Sequence, residues 1–518
     1  MTLHWKRFSH ALASTVFFEF AFNDNTYTTK TMRFFGINCG PHDGGVACID
    51  NDGALIFYSQ TERINRIKID GSVKDLNQTL IEAGMDPISG QDVVFATWPA
   101  HYKRFLAKQS WSGRTFQRIG SAFSRFDEKL QVNYLNHHLC HVAASWMYRE
   151  REDIDAALYI SLDGMGFRTD GAEGFYSVGE ISASQFTELE YQLNKFQYSP
   201  HWRLERVAIP NTARPLVAGK LMGLAGYVPQ EDIRYLPPVP RIAPLNARIG
   251  VKGFSNDVMI ECASVYRSYI EDVRQHLSVV IGKYPRKSIV VGGGVFLALE
   301  LNSWLVDQGK DLIFGPAIND SGIALGSAAY GYFLATNKWP RRIRTPFLQW
   351  CPQEDRDGFL SPGTAAQLLS KDEILAIVIG KGEAGPRALG HRSLLSIPSV
   401  KNAYRLSVEI KGREYYRPVA PIVTDREFKN LFTGASGRFM QFRNYCTPLA
   451  KQLAPGIVHN DNSARGGRFF GSRRSGQKKA ENMDWRANSK NCRNERAAIS
   501  PPLNADKPTC DVPAWQTI

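Results

Sequence analysis

Three glycine turns, each directly after an apolar strand-like segment, constrain the fold of this chain more than any other feature. Glycine lets backbone N–H groups approach a phosphate closely, so turns of this kind at one cleft indicate nucleotide or phosphate binding. The pairs of segment and turn are Arg33–Asn38 with Gly40–Gly45, Ala156–Leu162 with Asp163–Gly166, and Ser288–Val291 with Gly292–Gly294.

Each half of this region also reads as a β-meander. After the first turn come a strand at Val46–Ile49, the hairpin signal Asn51–Gly53 and a strand at Ala54–Gln60. After the second turn, Gly174–Val178 returns as another strand. Two meander halves with helices between them predict an α/β chain with an actin/Hsp70-like duplicated ATPase fold.

Length and charge limit the remaining possibilities. The 518 residues exceed what one hydrophobic core usually holds, so two or more domains are expected. The formal charge of +13 suits a protein that handles phosphates without requiring nucleic acid. The eight cysteines form no CxxC and no apolar run is long enough for a bilayer, so we expect reduced thiols and a cytoplasmic location.

Composition divides the chain into five predicted segments. Helix 365–375 and the strand Ala376–Ile379 open a second α/β unit. The predicted segments are an extension outside the fold at 1–31, an actin-like domain at 32–340, a linker at 341–362, a smaller domain at 363–467 and an atypical basic tail at 468–518.

Two histidines and two aspartates form a candidate metal site. His137 and His141 are at i and i+4 of a predicted helix, so both imidazoles lie on one face. His138 with His141 is an alternative pair, and capping histidines without a metal are a third possibility. Asp163 and Asp320 each follow an apolar strand at a turn, and a set of two His and two Asp suits Fe(II), Mn(II) or Zn(II).

A basic, glycine-broken string is the most distinctive part of the second unit. Residues 381–393 place Lys381, Arg387 and Arg392 around Gly-Pro turns, and residues 411–418 add three more cations. Guanidinium groups bind phosphate oxygens through paired hydrogen bonds. The string therefore predicts a bound phosphate, with an ordinary solvated surface as the alternative.

These motifs together resemble the carbamoyltransferases of nodulation-factor and antibiotic biosynthesis, including those acting in tobramycin and cephamycin synthesis. The resemblance spans about Arg33 to Arg465. The similar segments, in order, are 36–43, 60–68 (similar to EERFTRxK), 137–145 (HHxxHAAS), 220–225 (KVMGLA), 292–302 (GGVALN…N), 316–322 (PxxxDxG), 383–393 (EFGPRALGNRS) and 459–465 (HVDGSAR).

The resemblance implies a two-step enzyme. A YrdC-like C-terminal domain would convert carbamoyl phosphate and ATP, with Mg, to carbamoyl adenylate, and the first domain would pass the carbamoyl group to a hydroxyl of an acceptor. Fe(II) or a similar ion would be held by the four ligands above, with His42 acting on the acceptor hydroxyl. Nucleotide or carbamoyl-adenylate contacts are expected at Lys68, Gly164, Lys220, Gly293 and Asn302. Activation is expected at Lys381, Arg387, Arg392, Arg413, Arg417, Ser463 and Arg465.

The sequence departs from the family pattern mainly at its C-terminal end. Asn462 stands where the motif has glycine, and after Gly467 the chain is basic, polar and aperiodic. Such a composition buries too little apolar area to offset its ordering entropy. We therefore expect a disordered or loosely packed tail whose removal changes stability little, beside an incomplete YrdC-like sheet with an unpaired edge.

Three functional hypotheses remain open at this point. The first is carbamoyl transfer to a small hydroxylated molecule, with no membrane partner and a homodimer compatible with the sequence. The second is a non-catalytic binder of nucleotide or carbamoyl phosphate, disabled by the altered C-terminus. The third is a tRNA-modifying protein, which the extension at 383–393 disfavours because the single-domain tRNA subunit has no such segment.

Overall fold

The computed structural model describes residues 32–40, 42–71, 73, 76–97, 132–152, 154, 156–167, 173–193, 214–236, 256–350, 361–464, 467–468 and 497–499. The predicted extension at 1–31, Arg465 and most of the predicted tail lie outside these ranges. Among the helices in the described ranges, none combines the length and apolarity needed to cross a membrane.

The first sheet is an antiparallel meander extended by two parallel strands. Its spatial order is β3-β2-β1-β4-β5, with β1 parallel to β4 and β4 parallel to β5. All five residues of β1 and of β2 are buried, so both faces of this part of the sheet are covered. The strands are β1 (Phe34–Asn38), β2 (Gly45–Ile49), β3 (Leu55–Gln60), β4 (Val93–Ala96) and β5 (Val132–Tyr134).

The second sheet repeats the same plan. Its order is β10-β9-β6-β7-β8, where β6, β7 and β8 form the meander and β9 and β10 are the added parallel strands. The strands are β6 (Ala157–Phe167), β7 (Glu173–Ile181), β8 (Phe186–Leu193), β9 (Ser288–Gly292) and β10 (Asp311–Ile313). The recurrence of one strand order in both halves confirms the predicted duplicated actin/Hsp70-like fold.

Helices join the two sheets through small side chains. Helix α7 packs on β1 and β2, α3 packs on β6 and β9, and the two helices pack on each other. Cys140 and Ala143 of α3 share a buried cluster with Ala324 and Ala328 of α7, and these small side chains allow a close approach. The helices of this region are α1 (Thr61–Asn65), α2 (Leu76–Glu82), α3 (His137–Trp146), α4 (Arg214–Tyr227), α5 (Asn256–Lys283), α6 (Leu299–Asp307) and α7 (Ile323–Thr336).

The C-terminal region contains shorter elements around small cores. Its sheets have the orders β12-β11-β18, β13-β17 and β14-β15-β16 within the described residues. Its strands are β11 (Leu375–Ile379), β12 (Arg392–Leu395), β13 (Ile422–Val423), β14 (Phe432–Thr433), β15 (Asn444–Cys446), β16 (Ser463–Ala464), β17 (Gly467–Arg468) and β18 (Ala497–Ile499). Its helices are α8 (Pro362–Ser370), α9 (Val400–Tyr404), α10 (Asp425–Leu431) and α11 (Pro448–Leu453), with a π-helical stretch at Arg405–Ile410.

Two local predictions need correction. The predicted turn at Asp163–Gly166 is part of β6, whose register with β7 shifts between Leu162 and Gly166. The predicted helix 365–375 is instead α8, because the Ser361 side chain accepts from the Thr364 N–H and caps an earlier start. It ends at Ser370, and Asp372 then adopts a positive φ of 69°.

The prediction of an unpaired sheet edge beside a loosely packed tail is wrong at residues 497–499. Strand β18 pairs antiparallel with β11, with Ile377 opposite Ile499 and Ile379 opposite Ala497. Strand β17 also spans the predicted boundary between residues 467 and 468. Side-chain period fails as a predictor here because an open sheet edge offers unpaired backbone groups to any extended segment.

Candidate active site

Helix α3 brings two imidazoles together at its first turn. The Asn136 side chain caps the helix by accepting from the N–H groups of His138 and Leu139, at 3.0 and 3.4 Å. His137 and His141 are then one turn apart, and their Nε2 atoms are separated by 3.1 Å. Both rings are almost completely buried, so their position is set by packing.

Two carboxylates from distant strands face these rings. Asp163 lies in the irregular part of β6, and Asp320 opens the single 3-10 turn before α7. The distances from His137 Nε2 are 3.5 Å to Asp163 Oδ2 and 3.6 Å to Asp320 Oδ1. From His141 Nε2 they are 3.7 and 3.3 Å, so the structure brings all four predicted residues together.

The donor set fits a divalent metal ion. Bonds of about 2.0–2.2 Å to N and O ligands place neighbouring ligand atoms roughly 2.8–3.6 Å apart, close to the distances seen here. Burial alone would raise the pKa of Asp163, yet His137 and His141 hold that pKa well below its ordinary value. At Asp320, burial and Asp163 raise the pKa, but His42 and His137 outweigh them and lower it. Both carboxylates are therefore ionised and fit the role of candidate ligands.

The alternative pair of His138 and His141 is not assembled. The His138 ring lies between Ser161 Oγ, 3.0 Å from its Nδ1, and the Gly174 carbonyl, 3.0 Å from its Nε2. Burial, followed by the charge of His137, lowers the pKa of His138 to about 3. This histidine is a neutral core residue that joins α3 to β6 and β7.

His42 lies at the edge of the same cluster. Its Nδ1 atom is 2.8 Å from Asp43 Oδ2 and 3.6 Å from Asp320 Oδ2, and 27% of its side chain is exposed. Burial lowers its pKa, but Asp320 and Asp43 outweigh that effect and raise it to about 9. The partly exposed ring places an ionisable group between solvent and the buried candidate ligands.

The third glycine turn contacts this cluster through its backbone. The Gly294 N–H donates to Asp163 Oδ1 at 2.9 Å, and the Gly293 N–H donates to the Ile318 carbonyl at 2.9 Å. Gly293 has φ +96°, and a Cβ there would lie 2.0 Å from the Leu162 carbonyl oxygen. Only glycine fits this position, whereas Gly164 is exposed and has open space around it.

Asn302 has a structural bonding pattern. Its Nδ2 atom donates at 2.8 Å to both the Phe296 and the Gln441 carbonyl, and the residue is fully buried. These bonds join α6 to the C-terminal region. The predicted nucleotide contact would therefore have to use Oδ1, since both amide hydrogens are engaged.

Five basic side chains from both parts of the chain form a second cluster. Glu414 pairs with Lys220 and lies 3.8 Å from Arg417. Burial, then Arg417 and Arg413, lower the pKa of Lys68, although its side chain reaches solvent. Burial, then Arg413 and Arg417, lower the pKa of the neighbouring Lys411 to about 6. We call this set the cation cluster; its members are Lys68, Lys220, Lys411, Arg413 and Arg417.

The remaining cations predicted for activation lie elsewhere. Lys381 is exposed, and its carbonyl faces His391 Nδ1 at 2.8 Å. The Arg392 guanidinium donates to the carbonyls of Ile379, Gly380 and His391 at 2.7–3.0 Å. We call residues 32–340 the first half of the chain. Arg387 donates to the Leu297 carbonyl, which lies in this first half, at 2.9 Å. The activating cations that the structure describes are thus dispersed over three places.

A shallow pocket, part of it open to solvent, lies where the first half meets the C-terminal region. Ser463 lines it, and its Oγ donates to Asp461 Oδ1 at 2.5 Å. Asn462, where the related motif has glycine, has φ +63°, a conformation that asparagine tolerates. The polar and charged lining residues are Arg267, Glu300, Arg443, His459, Asp461 and Ser463.

Several residues of the site were not assigned by sequence reasoning. Glu383 Oε1 accepts from the N–H groups of Leu389, His391 and Arg392, and so holds the basic string in shape. Gln60 and Arg63 contact the same string at Gly385. All three residues lie inside segments that resemble family motifs. The motifs therefore marked these residues as candidates but did not predict what each side chain contacts.

Comparison with known proteins identifies relatives along most of the chain. Residues 366–468 match the family model described as "Carbamoyltransferase C-terminus". Nodulation protein U of Sinorhizobium fredii is 31% identical over 510 residues, covering 84% of this chain and 88% of that protein. Nodulation protein NolNO of the same organism is 26% identical over 490 residues, covering 82% and 69%.

Similar solved structures include HypF of T. kodakarensis, with a TM-score of 0.35 and 16% identity over 59% of this chain and 48% of that one. Full-length HypF in a phosphate- and nucleotide-bound form has a TM-score of 0.34 and 14% identity, covering 59% of this chain and 56% of that one.

Proposed function

This chain belongs to the carbamoyltransferase family that includes nodulation protein U and is an enzyme of that kind, and we propose that it moves a carbamoyl group from carbamoyl phosphate, through carbamoyl adenylate, to a hydroxyl of a small molecule. In the first step water releases phosphate from carbamoyl phosphate, and the resulting carbamate attacks the α-phosphate of ATP, so that pyrophosphate leaves. In the second step the acceptor hydroxyl loses its proton to a base and attacks the carbamoyl carbon, so that AMP leaves. The observation that carries the proposal is the convergence of His137, His141, Asp163 and Asp320 within 4.8 Å of one another. His42 lies against this set from the solvent side.

A divalent ion, Fe(II) or similar, would be held by those four side chains and would supply Lewis-acid polarisation of the carbamoyl carbonyl. Asp320 would both ligate and face His42. The positive charge so gathered would offset the carboxylates that raise the pKa of His42, favouring the neutral ring as a proton acceptor. His42 is then placed to take the proton of the acceptor hydroxyl, with Asp43 orienting the ring through Nδ1.

The cation cluster supports the activation step. Carbamoyl phosphate and ATP with Mg are polyanions, and their use requires several cations in a partly dry setting. Lys68 and Lys220 come from the first half, whereas Lys411, Arg413 and Arg417 come from the C-terminal region. Contributions from both parts support a phosphate site at their junction.

The junction pocket supports nucleotide binding next to that cluster. Tyr416 and Arg417 precede Pro418, which lines the pocket, so the cations and the pocket share one segment. Arg267 and Arg443 provide further positive charge among the lining residues. An adenine nucleotide in the pocket would therefore place its phosphates toward the cation cluster, with Ser463 as an additional polar contact.

Carbamoyl-phosphate-dependent exchange of pyrophosphate into ATP tests the activation step. We expect exchange in the wild type and at least about tenfold loss in Arg413→Ala, because one charged hydrogen-bonding partner is removed. Lys287→Ala, at an exposed pair with Asp311, serves as the control. Absence of exchange with the pure wild-type protein would instead favour a non-catalytic binder.

The acceptor is addressed by product analysis. Mass spectrometry of reactions with hydroxylated small molecules should show a carbamoyl mass increase that requires ATP and carbamoyl phosphate. A tRNA acceptor is tested in parallel, with salt-dependent binding as the readout. Carbamoylation of tRNA alone would overturn the proposed acceptor class and leave the activation chemistry standing.

A further inference from the structure

The basic string of the C-terminal region packs against the first half of the chain, which contains the four candidate metal ligands. We call residues Glu383–Gly390 the docking loop. The Gly385 N–H donates to Gln60 Oε1 at 3.1 Å, and Arg63 Nη2 donates to the Gly385 carbonyl at 2.8 Å. Gln349 adds a backbone pair with Gly382 directly before the loop. The loop is thus hydrogen-bonded to β3 of the first sheet and to α1, the helix that follows β3.

Gly385 also touches the segment that leads to a metal ligand. Its φ is +87°, and a Cβ there would lie 2.3 Å from the Pro316 carbonyl oxygen and 2.8 Å from the Ala317 Cα. Asp320 follows three residues later, at the start of its 3-10 turn. Only a residue without a side chain permits this close approach of two backbones.

Arg387 reaches from the docking loop to the turn that holds the other carboxylate. Its side chain is buried, with 6% exposure, and Nη2 donates to the Leu297 carbonyl at 2.9 Å. Leu297 ends the 3-10 turn Gly294–Leu297, and the Gly294 N–H at the other end of that turn donates to Asp163 Oδ1. One short turn therefore links the guanidinium to the carboxylate.

The docking loop is itself held rigidly. Glu383 Oε1 accepts three N–H groups, from Leu389, His391 and Arg392, at 2.8–3.0 Å. A buried carboxylate with three donors fixes the conformation of the loop on which Arg387 is mounted. The backbone that carries Arg387 therefore has a fixed conformation.

We propose that Arg387 is a positioning residue for the metal ligand Asp163, acting through the Gly294–Leu297 turn. The inference rests on the proposed metal function of the four ligands. Hydrogen bonds behind a ligand orient it, and their loss typically weakens metal binding about 10–100-fold. The C-terminal region would then complete a metal site whose ligands all lie in the first half.

Hydrogen exchange in the metal-free protein tests the mechanical link. We expect peptides covering residues 293–298 to exchange faster in Arg387→Ala than in the wild type. Arg387→Lys, which can donate one bond to Leu297, should fall between the two. Arg405→Ala is the matched control, because its guanidinium bonds to Asp372 and Asn402 within the C-terminal region.

Titration with Mn(II), followed by electron paramagnetic resonance, tests the effect on the ligand set. We expect the dissociation constant to rise about tenfold or more in Arg387→Ala and to stay within about twofold in Arg405→Ala. Circular dichroism in chelator identifies any variant that fails to fold, and Arg387→Lys then carries the comparison.

The outcomes separate this inference from the proposed function. Faster exchange together with weaker Mn(II) binding supports it. Unchanged hydrogen exchange in Arg387→Ala overturns the positioning role while the metal site stands. Faster hydrogen exchange with unchanged Mn(II) affinity does the same. A wild-type protein that binds no Mn(II) overturns both. Loss of pyrophosphate exchange alone would show that Arg387 binds phosphate and does not position Asp163.

Discussion

The Nε2 atom of His141 lies 3.3 Å from Oδ1 of Asp320, which is the first residue of the turn before α7. Helices α3 and α7 pack through Cys140, Ala143, Ala324 and Ala328, and this contact brings together the two segments that carry His141 and Asp320. The candidate ligand set is therefore a product of helix packing between the two sheets.

Metal binding should depend on this arrangement. We expect about one Fe(II)-class ion per chain, as measured by elemental analysis after anaerobic loading. His141→Ala should abolish it while the fold survives, because the ring is replaced by a smaller apolar group. His276→Ala, on α5 beside Tyr176, is the control. Unchanged metal content in the double variant His137→Ala, His141→Ala would refute the assignment.

The glycine turn should tolerate no side chain. In Gly293→Ala the new Cβ would meet the Leu162 carbonyl at a φ of +96°, so we expect a loss of about 2 kcal/mol or more in free energy of unfolding. Gly164→Ala has open space and should change it by less than about 0.5 kcal/mol. Urea unfolding followed by fluorescence measures both, and equal effects would contradict the packing described.

Glu383 should stabilise the docking loop more than a surface glutamate does. In Glu383→Ala three N–H groups lose their acceptor, each costing about 1–3 kcal/mol if it stays buried and unsatisfied. We expect a lowered melting temperature and faster proteolysis near residues 383–392. Exposed Glu409→Ala should leave both unchanged, and matching behaviour of the two variants would disprove this role.

Lys411 should couple anion binding to proton uptake. Its pKa is lowered to about 6 by burial and by Arg413 and Arg417, so the folded protein holds it neutral at pH 7. The unfolded chain would protonate it, so this group destabilises the fold as pH falls toward 6 and its effect vanishes above about pH 10.4, the ordinary lysine pKa. A bound phosphate favours the charged form and raises the pKa.

Calorimetry in two buffers of different ionisation enthalpy measures that proton. We expect uptake of up to about one proton when pyrophosphate binds at pH 7.5, since the pKa of Lys411 rises toward its ordinary value of about 10.4. Lys411→Met should remove most of the uptake, whereas Lys401→Met, at an exposed pair with Asp372, should not. Equal uptake in all three proteins would contradict the coupling.

The amino-acid sequence alone was sufficient to predict most strands of residues 32–340. The predicted bounds of β1, β3 and β9 differ from the observed ones by no more than a residue, because apolar runs ended by glycine or by hairpin residues are local signals. The spacing of His137 and His141 likewise predicted a shared helix face. The family resemblance added the candidate roles that local signals do not contain.

Other features needed the tertiary structure. Arg387 was expected beside Lys381 and Ser463, but its guanidinium meets Leu297 in the other half of the chain. Lys68 and Lys411 share a cluster that no spacing indicates. Such pairings depend on how two regions dock, and docking is decided by side-chain packing summed over many residues far apart in the chain.

The sequence by itself determined the duplicated α/β fold, the family and the residue types of the candidate metal site, because strand periodicity, glycine turns and ordered motifs are encoded locally. The tertiary structure alone decided which of His138 and His137 joins His141, where the cations gather and which strand pairs with β11. Those outcomes follow from burial and backbone hydrogen bonding, which act on residues only once distant segments are in contact.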